Sequence, residues 1–163
     1  QISPGDLNQD SSPSSFFSED FFSDFFSDFF SDFRADKASD MIKFFGLAEN
    51  MKLKQMSKGM REKAQIALAM SRDAKIFLLD EPISGVDPAA RDVILKGIVR
   101  NLEADALVLI STHLIHDLET VLDAVVMMRH GKVLLTGQVD DLRVEHGLSI
   151  DALFRKVYSW SAR

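Results

Sequence analysis

The sequence predicts an α/β fold in which parallel strands are joined by helices. The apolar run Ile76–Leu79 leads directly into Asp80-Glu81, and Pro82 stops it. A second apolar run, Leu107–Ile110, follows a helix-like stretch and ends in Ser111-Thr112-His113. Short apolar runs bounded by breakers are typical of strands buried on both faces of a parallel sheet. Strand, helix and strand in this order predict parallel neighbours joined by a crossover.

Composition limits the function classes that fit the chain. Its 163 residues suffice for one domain or part of one, and they include no cysteine, so neither disulfides nor thiolate metal sites are expected. Apolar runs reach only about five residues, far below the ~20 that span a bilayer. The net charge is −6, but residues 1–33 hold seven acids and no Lys or Arg. The remainder is therefore nearly neutral, and no nucleic acid partner is expected.

Residues 1–33 form a Phe/Ser/Asp-rich segment of low complexity. Nine of the thirteen phenylalanines lie in it, and Phe-Phe-Ser-Asp occurs three times in succession from Phe21. Such composition is typical of disordered, aggregation-prone sequence. A period of four residues would also give a helix a slowly drifting apolar stripe, which would suit a partner-binding or membrane-surface helix. We assign this segment no function from the sequence.

Two helices are predicted before the first strand. The apolar positions 38, 41, 42 and 45 follow helical spacing, and Gly46 is placed to end that helix. Ser57 is a suitable N-cap for a second helix that runs to about Ser71. The strand is then predicted over Lys75–Asp80.

The third helix begins at Asp87-Pro88, which combines an N-cap residue with proline at the first helical position. This helix comes before the second predicted strand, Leu107–Ile110, in the chain. One side of this helix carries Arg91, Ile94, Leu95, Ile98 and Leu102.

The last third of the chain is predicted to form a short helix, a hairpin and two further helices. The short helix covers Leu114–Leu122. Two strands follow around a turn at His130-Gly131, a combination that favours a tight hairpin. The predicted strands are Ala124–Met128 and Val133–Thr136, and the predicted helices are Gln138–Glu145 and Ser149–Ser159.

Three polar residues are expected to meet at one edge of the sheet. Asp80 and Glu81 end the first strand, and His113 ends the second. The carboxyl ends of parallel strands are where open α/β sheets bind ligands. Because successive strand side chains alternate, one carboxylate can serve a cation while the other faces a water or substrate. The three residues together suggest hydrolytic chemistry, although each alone is also compatible with a structural role.

Four short motifs follow one another along the chain: Met56–Met60, Ile76–Glu81, Ser84–Asp87 and Ser111–His113. With these motifs, the chain from about Asp36 to Trp160 resembles the C-terminal half of the ATP-binding subunit of an ATP-binding cassette (ABC) transporter. In that family the four motifs correspond, in the same order, to the signature loop, Walker B with its following glutamate, the D-loop and the switch-histidine loop. The form of the signature loop and the closing Ile150–Phe154 resemble bacterial ABC-2-type subunits, which usually serve exporters.

The resemblance implies a role for each matching residue. Asp80 would hold Mg²⁺, Glu81 would act as the general base for the attacking water, and His113 would contact the γ-phosphate. Ser57 and Gly59 would hold the γ-phosphate of ATP bound to the opposite subunit, where free amides at a helix N-terminus favour phosphate. The remaining candidate nucleotide-binding residues are Lys58, Ser84 and Asp87.

The signature loop departs from the commoner pattern of the family at three positions. Met56 replaces leucine, Lys58 replaces the first of two glycines, and Met60 replaces glutamine. The lysine either adds positive charge near the phosphate or faces water.

The resemblance further implies a partial P-loop-type sheet with parallel strands and flanking helices, a piece of the helical subdomain, and a C-terminal hairpin plus helices. We expect residues 34–163 to form this partial ATP-binding domain, with 34–72 belonging to the helical subdomain and 73–163 to the catalytic core and C-terminal helices. ATP and Mg²⁺ are the implied cofactors. The implied partners are a second ATP-binding subunit and transmembrane permease subunits, which would hold the protein at the cytoplasmic face of the membrane.

A phosphate-binding loop is missing from the sequence. No stretch matches Gly-x-x-x-x-Gly-Lys-[Ser/Thr], whose amides and lysine cradle the phosphates. The chain is therefore expected to be a fragment of a longer subunit, with a degenerate, non-hydrolysing half-domain as the alternative. A regulatory or protein-binding module that does not turn over ATP is a further alternative. An unrelated P-loop-like ATPase acting on nucleic acid is disfavoured by the near-neutral core.

Overall fold

The computed structural model describes residues 26–48 and 51–160. The predicted order of strands and helices is confirmed in this part of the chain. The helices are α1 (Ser27–Phe29), α2 (Ala35–Phe44), α3 (Lys58–Met70), α4 (Pro88–Asn101), α5 (Ile115–Leu118), α6 (Val139–His146) and α7 (Ile150–Trp160), with a 3₁₀ turn at Leu53–Gln55. The strands are β1 (Ile76–Asp80), β2 (Leu107–Ser111), β3 (Ala124–Arg129) and β4 (Lys132–Gln138).

The strands form two separate two-stranded sheets in the described residues. β1 and β2 pair in parallel, with Ile76 opposite Leu107 and Asp80 opposite Ser111. β3 and β4 form the predicted antiparallel hairpin. Its turn places both His130 (φ 47°) and Gly131 (φ 74°) in the left-handed region, as a two-residue turn that matches strand twist requires.

The predicted caps set the starts of α3 and α4. The Ser57 hydroxyl accepts a hydrogen bond from the Met60 N–H at 3.2 Å. The Asp87 carboxylate accepts one from the Ala90 N–H at 3.0 Å, and Pro88 follows at the first helical position. Both side chains satisfy amides that a helix N-terminus leaves without a partner.

The main core joins α2, α3, α4 and one face of the parallel sheet. Met41, Ile42, Met70 and Ile94 are fully buried in it. A smaller core lies beneath the hairpin, where α6 and α7 pack against β3. None of the helices in the described ranges is long and apolar enough to cross a bilayer.

The expectation that β1 is buried on both faces is wrong. Phe77 and Leu79 are buried, whereas Leu78 is 72% exposed and its neighbour Leu109 on β2 is 57% exposed. The helices α3 and α4 cover only one face of this sheet. The apolar side chains on its other face are therefore exposed in the described part of the chain. The predicted Leu114–Leu122 helix is also shorter, since only Ile115–Leu118 is helical.

Most of the Phe/Ser/Asp-rich segment lies outside the described residues. Its last part, residues 26–33, contains α1 and then a turn in which the Phe33 N–H donates to the Phe30 carbonyl at 3.0 Å. A single antiparallel bridge joins Phe33 to Arg72, which follows α3.

Candidate functional site

The carboxyl edge of the parallel sheet brings together the residues that end β1 and β2. Asp80 and Ser111 are directly opposed across the sheet, and the Ser111 hydroxyl donates a short hydrogen bond to Asp80 Oδ1. The Asp80 side chain remains exposed. The strand register therefore presents a carboxylate and a hydroxyl side by side at the predicted ligand edge.

Glu81 is the most constrained residue of this edge. Its backbone has φ 47°, a left-handed conformation that is unusual for a residue with a side chain. The Glu81 N–H donates to the Ser111 carbonyl at 2.9 Å, which continues the β1–β2 pairing by one step. The chain then turns sharply, since the Ser84 N–H donates back to the Glu81 carbonyl at 3.0 Å.

Two side chains from the end of β2 hold the Glu81 carboxylate. His113 Nδ1 lies 2.7 Å from Glu81 Oε1, and the Thr112 hydroxyl donates to Oε2 at 3.3 Å. Thr112 is itself oriented, because its hydroxyl oxygen accepts the Leu114 N–H at 3.0 Å. The carboxylate is thus fixed at both oxygens, and the predicted meeting of Asp80, Glu81 and His113 is observed.

The predicted signature and D-loop residues form a second group. The D-loop residue Gly85 has φ 68°, and a Cβ at this position would collide with the Lys58 ammonium. A Cβ on Gly59 would lie 3.6 Å from Val86 and 3.9 Å from Asp87 Oδ2. The two loops, and with them the N-termini of α3 and α4, therefore lie in direct contact.

Along the chain, the turn from Glu81 to Ser84 connects these two groups. Among the described residues, no hydrogen bond or ion pair connects Ser57, Lys58 or Gly59 with the Asp80–Glu81 edge. Lys58 is exposed, and its ammonium lies over Gly85 of the D-loop.

Arg91 is a residue that motif analysis did not single out as functional. Its Nε donates to the Val86 carbonyl at 2.7 Å, and its Nη1 contacts Asp117 Oδ2 at 2.7 Å. It thereby links the D-loop to α5, the helix that follows His113. Thr112 was likewise missed as a site residue, although its position opposite Glu81 follows from the parallel register once Asp80 and Ser111 are paired.

The donor set fits a cation bound mainly by water and phosphate. The described part of the chain has no cluster of three or more His, Asp or Glu residues able to hold a metal by themselves. Asp80 and Ser111 supply one carboxylate and one hydroxyl oxygen. Mg²⁺ commonly uses one or two carboxylates together with waters and substrate phosphates, so these residues suit Mg²⁺ that arrives with a nucleotide.

Comparison with known proteins defines the class first. The sequence family described as "AAA domain, putative AbiEii toxin, Type IV TA system" matches residues 5–116. The fold and the match together place the chain among AAA-type domains.

Curated relatives then define the family. The chain is 34% identical to the uncharacterized ABC transporter ATP-binding protein YxlF of Bacillus subtilis over 72% of the chain and 40% of YxlF. It is 31% identical to the ABC transporter ATP-binding protein NatA of the same organism, over 65% of the chain and 44% of NatA. The chain therefore belongs to the family of ABC transporter ATP-binding proteins, and it spans less than half the length of these relatives.

Solved structures have the same fold. An ATP-binding subunit of an ABC transporter superposes with a TM-score of 0.64 at 27% identity, covering 76% of this chain and 53% of that one. MJ1267, an ATP-binding cassette of an ABC transporter, superposes in its ADP conformation with a TM-score of 0.61 at 23% identity. This match covers 76% of the chain and 49% of MJ1267.

Proposed function

We propose that the chain is the signature and Walker B part of an ATP-hydrolysing subunit that drives an ABC transporter. The observation that carries this proposal is the Glu81 carboxylate, which His113 and Thr112 hold beside Asp80 at the carboxyl edge of a parallel sheet. A base for water, a carboxylate for a cation and a histidine are the side chains that hydrolysis of a phosphoanhydride needs. The family match supplies ATP as the nucleotide.

Asp80 and Ser111 would hold Mg²⁺, which offsets the negative charge of the phosphates when it is bound. Glu81 would accept the proton of the attacking water as general base. The contacts from His113 and Thr112 hold its carboxylate in one orientation, which phosphoryl transfer requires because it depends mainly on positioning and charge. His113 would also contact the γ-phosphate with its second ring nitrogen.

Ser57, Lys58 and Gly59 would act on nucleotide held by a second ATP-binding subunit. Their separation from the Asp80–Glu81 edge within one chain supports a role across a dimer interface. The amides at the start of α3 and the positive end of its dipole favour a phosphate there. Ser84 and Asp87 of the adjoining D-loop would line the same interface.

The chain would need a P-loop half to function, since no such loop occurs in its sequence. The exposed apolar face of β1 and β2 supports this part of the proposal. A cavity of about 520 Å³ between β2 and β3 is also lined mainly by apolar side chains. In the described residues each of these two strands has a paired neighbour on one side only. We therefore place residues 34–163 in a partial domain whose helical part is 34–72 and whose catalytic part is 73–163.

The partners of the complete subunit would be a second ATP-binding subunit and transmembrane permease subunits. The latter would hold it at the cytoplasmic face of the membrane. The signature form suggests an ABC-2-type exporter. Daunorubicin/doxorubicin resistance ATP-binding protein DrrA of Streptomyces peucetius is one relative, at 28% identity over 70% of the chain and 35% of DrrA.

The decisive experiment supplies the P-loop half of a related ATP-binding protein by co-expression and measures phosphate release. We expect Mg²⁺-dependent ATPase activity from the pair and none from the chain alone. Glu81→Gln should lower turnover by about 10²-fold or more while ATP binding persists, because only the general base is lost. A folded complex that binds ATP without hydrolysing it would instead favour a regulatory module.

A further inference from the structure

Arg91 holds two parts of the site that are far apart in the chain. Its Nε donates to the Val86 carbonyl at 2.7 Å, and its Nη1 donates to Asp117 Oδ2 at 2.7 Å. Val86 belongs to the D-loop, whereas Asp117 lies on α5, four residues after His113. One guanidinium therefore contacts a loop of the proposed dimer interface and the helix that follows the histidine at the same time.

The contact between Arg91 and Asp117 is partly buried. The exposed fractions of the two side chains are 22% and 25%, and Val86 is buried. An ion pair partly removed from water is screened less than an exposed pair. The rigid fork of a guanidinium directs hydrogens to two separate acceptors, whereas a lysine ammonium is a point charge on a flexible stem. A lysine at position 91 would therefore keep the attraction to Asp117 without holding both partners in place.

Helix α5 depends on such contacts for its position. It has only four residues, and its N-cap residue, Leu114, makes no side-chain capping hydrogen bond. Helices this short are not stable by themselves in water, so contacts with the rest of the protein hold them. Leu118 is fully buried, and Asp117 provides the contact towards the D-loop. Because His113 directly precedes Leu114, the position of α5 also sets the position of the His113 ring relative to Glu81.

The D-loop end of this link touches the signature loop. A Cβ on Gly59 would lie 3.6 Å from Val86 Cγ1. The start of α3 therefore packs on the residue whose carbonyl Arg91 holds. The contacts continue without a gap from the signature loop, through the D-loop and Arg91, to α5.

We propose that Arg91 is a positioning residue that sets the place of His113 according to the state of the D-loop, and so couples the dimer interface to hydrolysis at Glu81. This inference rests on the proposed function, which places the D-loop at a dimer interface. Because Arg91 acts through α5, its loss should affect turnover and not ATP binding. Asp117 is the other half of the same link, so its loss should have the same effect.

The first test uses the full chain alone and needs no ATP hydrolysis. Arg91→Lys keeps the positive charge beside Asp117 but loses the fork that also holds Val86. The NMR signal of the His113 ring, identified by its loss in His113→Asn, should shift or broaden in Arg91→Lys. Arg34→Lys is the matched control, since Arg34 also binds a carboxylate through two nitrogens, at an exposed position. An unchanged signal in Arg91→Lys, or an equal change in the control, would overturn the proposal.

The second test measures turnover of the chain co-expressed with a P-loop half. Arg91→Lys and Asp117→Asn should each lower kcat by about tenfold and leave the KM for ATP within about twofold, the pattern of a lost transition-state interaction. The double variant should be no slower than the slower single variant, since both changes break one link. Additive losses would mean that the two residues act independently, and would overturn the proposal.

An exchanged pair separates positioning from stability. Arg91→Asp combined with Asp117→Arg restores an ion pair and should regain the melting temperature lost in Arg91→Asp alone. It should not regain kcat, because an aspartate at position 91 cannot donate to the Val86 carbonyl. Recovery of both quantities would show that the ion pair serves only the fold, and would contradict coupling to the D-loop.

Failure of this inference is distinguishable from failure of the proposed function. A wild-type pair that releases no phosphate from ATP would overturn the proposed function, while the link between Arg91 and the His113 ring is judged by NMR on the chain alone. An active wild-type pair whose kcat is unchanged by Arg91→Lys would overturn the coupling and leave the proposed function in place.

Discussion

Glu81 Oε1 and His113 Nδ1 lie 2.7 Å apart, although the two residues are 32 positions apart in the chain. The contact exists because β1 and β2 are adjacent and parallel and end at the same level. Glu81 also adopts a left-handed backbone, which turns its carboxylate towards β2 and away from the continuing chain. Backbone strain of this kind persists where surrounding contacts maintain it, and here residues 111–113 provide those contacts.

Thr112→Val should lower turnover of the ATPase reconstituted with a P-loop half by about tenfold, because a carboxylate held at one oxygen samples unproductive orientations. The KM for ATP should stay within about twofold, since Thr112 contacts Glu81 and not the nucleotide in the proposed arrangement. Thr112→Ser keeps the hydroxyl and should restore most of the activity. Steady-state kinetics that show equal kcat for the Val variant and wild type would remove Thr112 from the positioning of Glu81.

Gly59→Asp should abolish ATP-dependent dimerisation of the reconstituted subunit while single-site ATP binding remains near normal. A carboxylate ~4 Å from a phosphate is repelled by about 4 kcal/mol at an intermediate effective dielectric. Gly59→Asn is the matched control, because it adds the same bulk near Val86 and Asp87 without charge. Light scattering in the presence of ATP distinguishes the variants. If Gly59→Asn and Gly59→Asp both abolish the dimer, the bulk of the added side chain and not its charge is the cause.

Leu79→Ala should destabilise the chain by about 2–5 kcal/mol, since it empties a well-packed site in the main core. Leu78→Ala, one position earlier on the same strand, should change the free energy of unfolding by no more than about 0.5 kcal/mol. Leu79 is 8% exposed and Leu78 is 72% exposed. Urea denaturation of the two variants measures this difference, and equal losses would mean that both faces of β1 are covered in solution.

Glu119 should make stability depend on acid pH. Burial alone would raise the pKa of Glu119, but hydrogen bonds from the Ile150 N–H, Arg143 and the Asp151 N–H outweigh it and lower the pKa below its ordinary value. A lowered pKa means that ionised Glu119 stabilises the fold above about pH 4.5, and that this contribution is lost as the pH falls through the folded-state value.

Glu119→Gln should therefore lower the melting temperature at pH 7. The difference in melting temperature between this variant and the wild type should become smaller as the pH falls towards 3. The exposed Glu145 is a suitable control, and Glu145→Gln should leave the pH dependence unchanged. A constant difference between Glu119→Gln and wild type from pH 7 to 3 would contradict this interpretation.

Local signals predicted most of the fold. Ser57 and Asp87-Pro88 marked the starts of α3 and α4 because side-chain capping involves only neighbouring residues. The Asp80, Glu81 and His113 edge was also predictable, since parallel pairing follows from a strand–helix–strand order. The support that Thr112 gives to Glu81 could not be predicted without the register, which sets the two strand ends side by side.

Other features depended on what covers an element. An apolar run such as Ile76–Leu79 indicates that a strand can be buried on both faces, but it does not show whether both faces are covered. The exposure of Leu78 could therefore be seen only in the structure. The length of α5 was overestimated for a related reason. The predicted helix extended to Leu122, but the four-residue helix ends next to Glu119, whose side chain accepts a hydrogen bond from the Ile150 N–H at the start of α7.

The sequence by itself determined the strand and helix order, the helix caps and the family motifs, because these depend on spacing along the chain. Only the tertiary structure decided which groups hold the Glu81 carboxylate and which face of β1 is buried. Thr112 and His113 reach Glu81 because β1 and β2 pair in parallel, and Leu78 is exposed because α3 and α4 cover only one face of the sheet. Contacts between residues that are distant in the sequence depend on packing, which spacing along the chain does not specify.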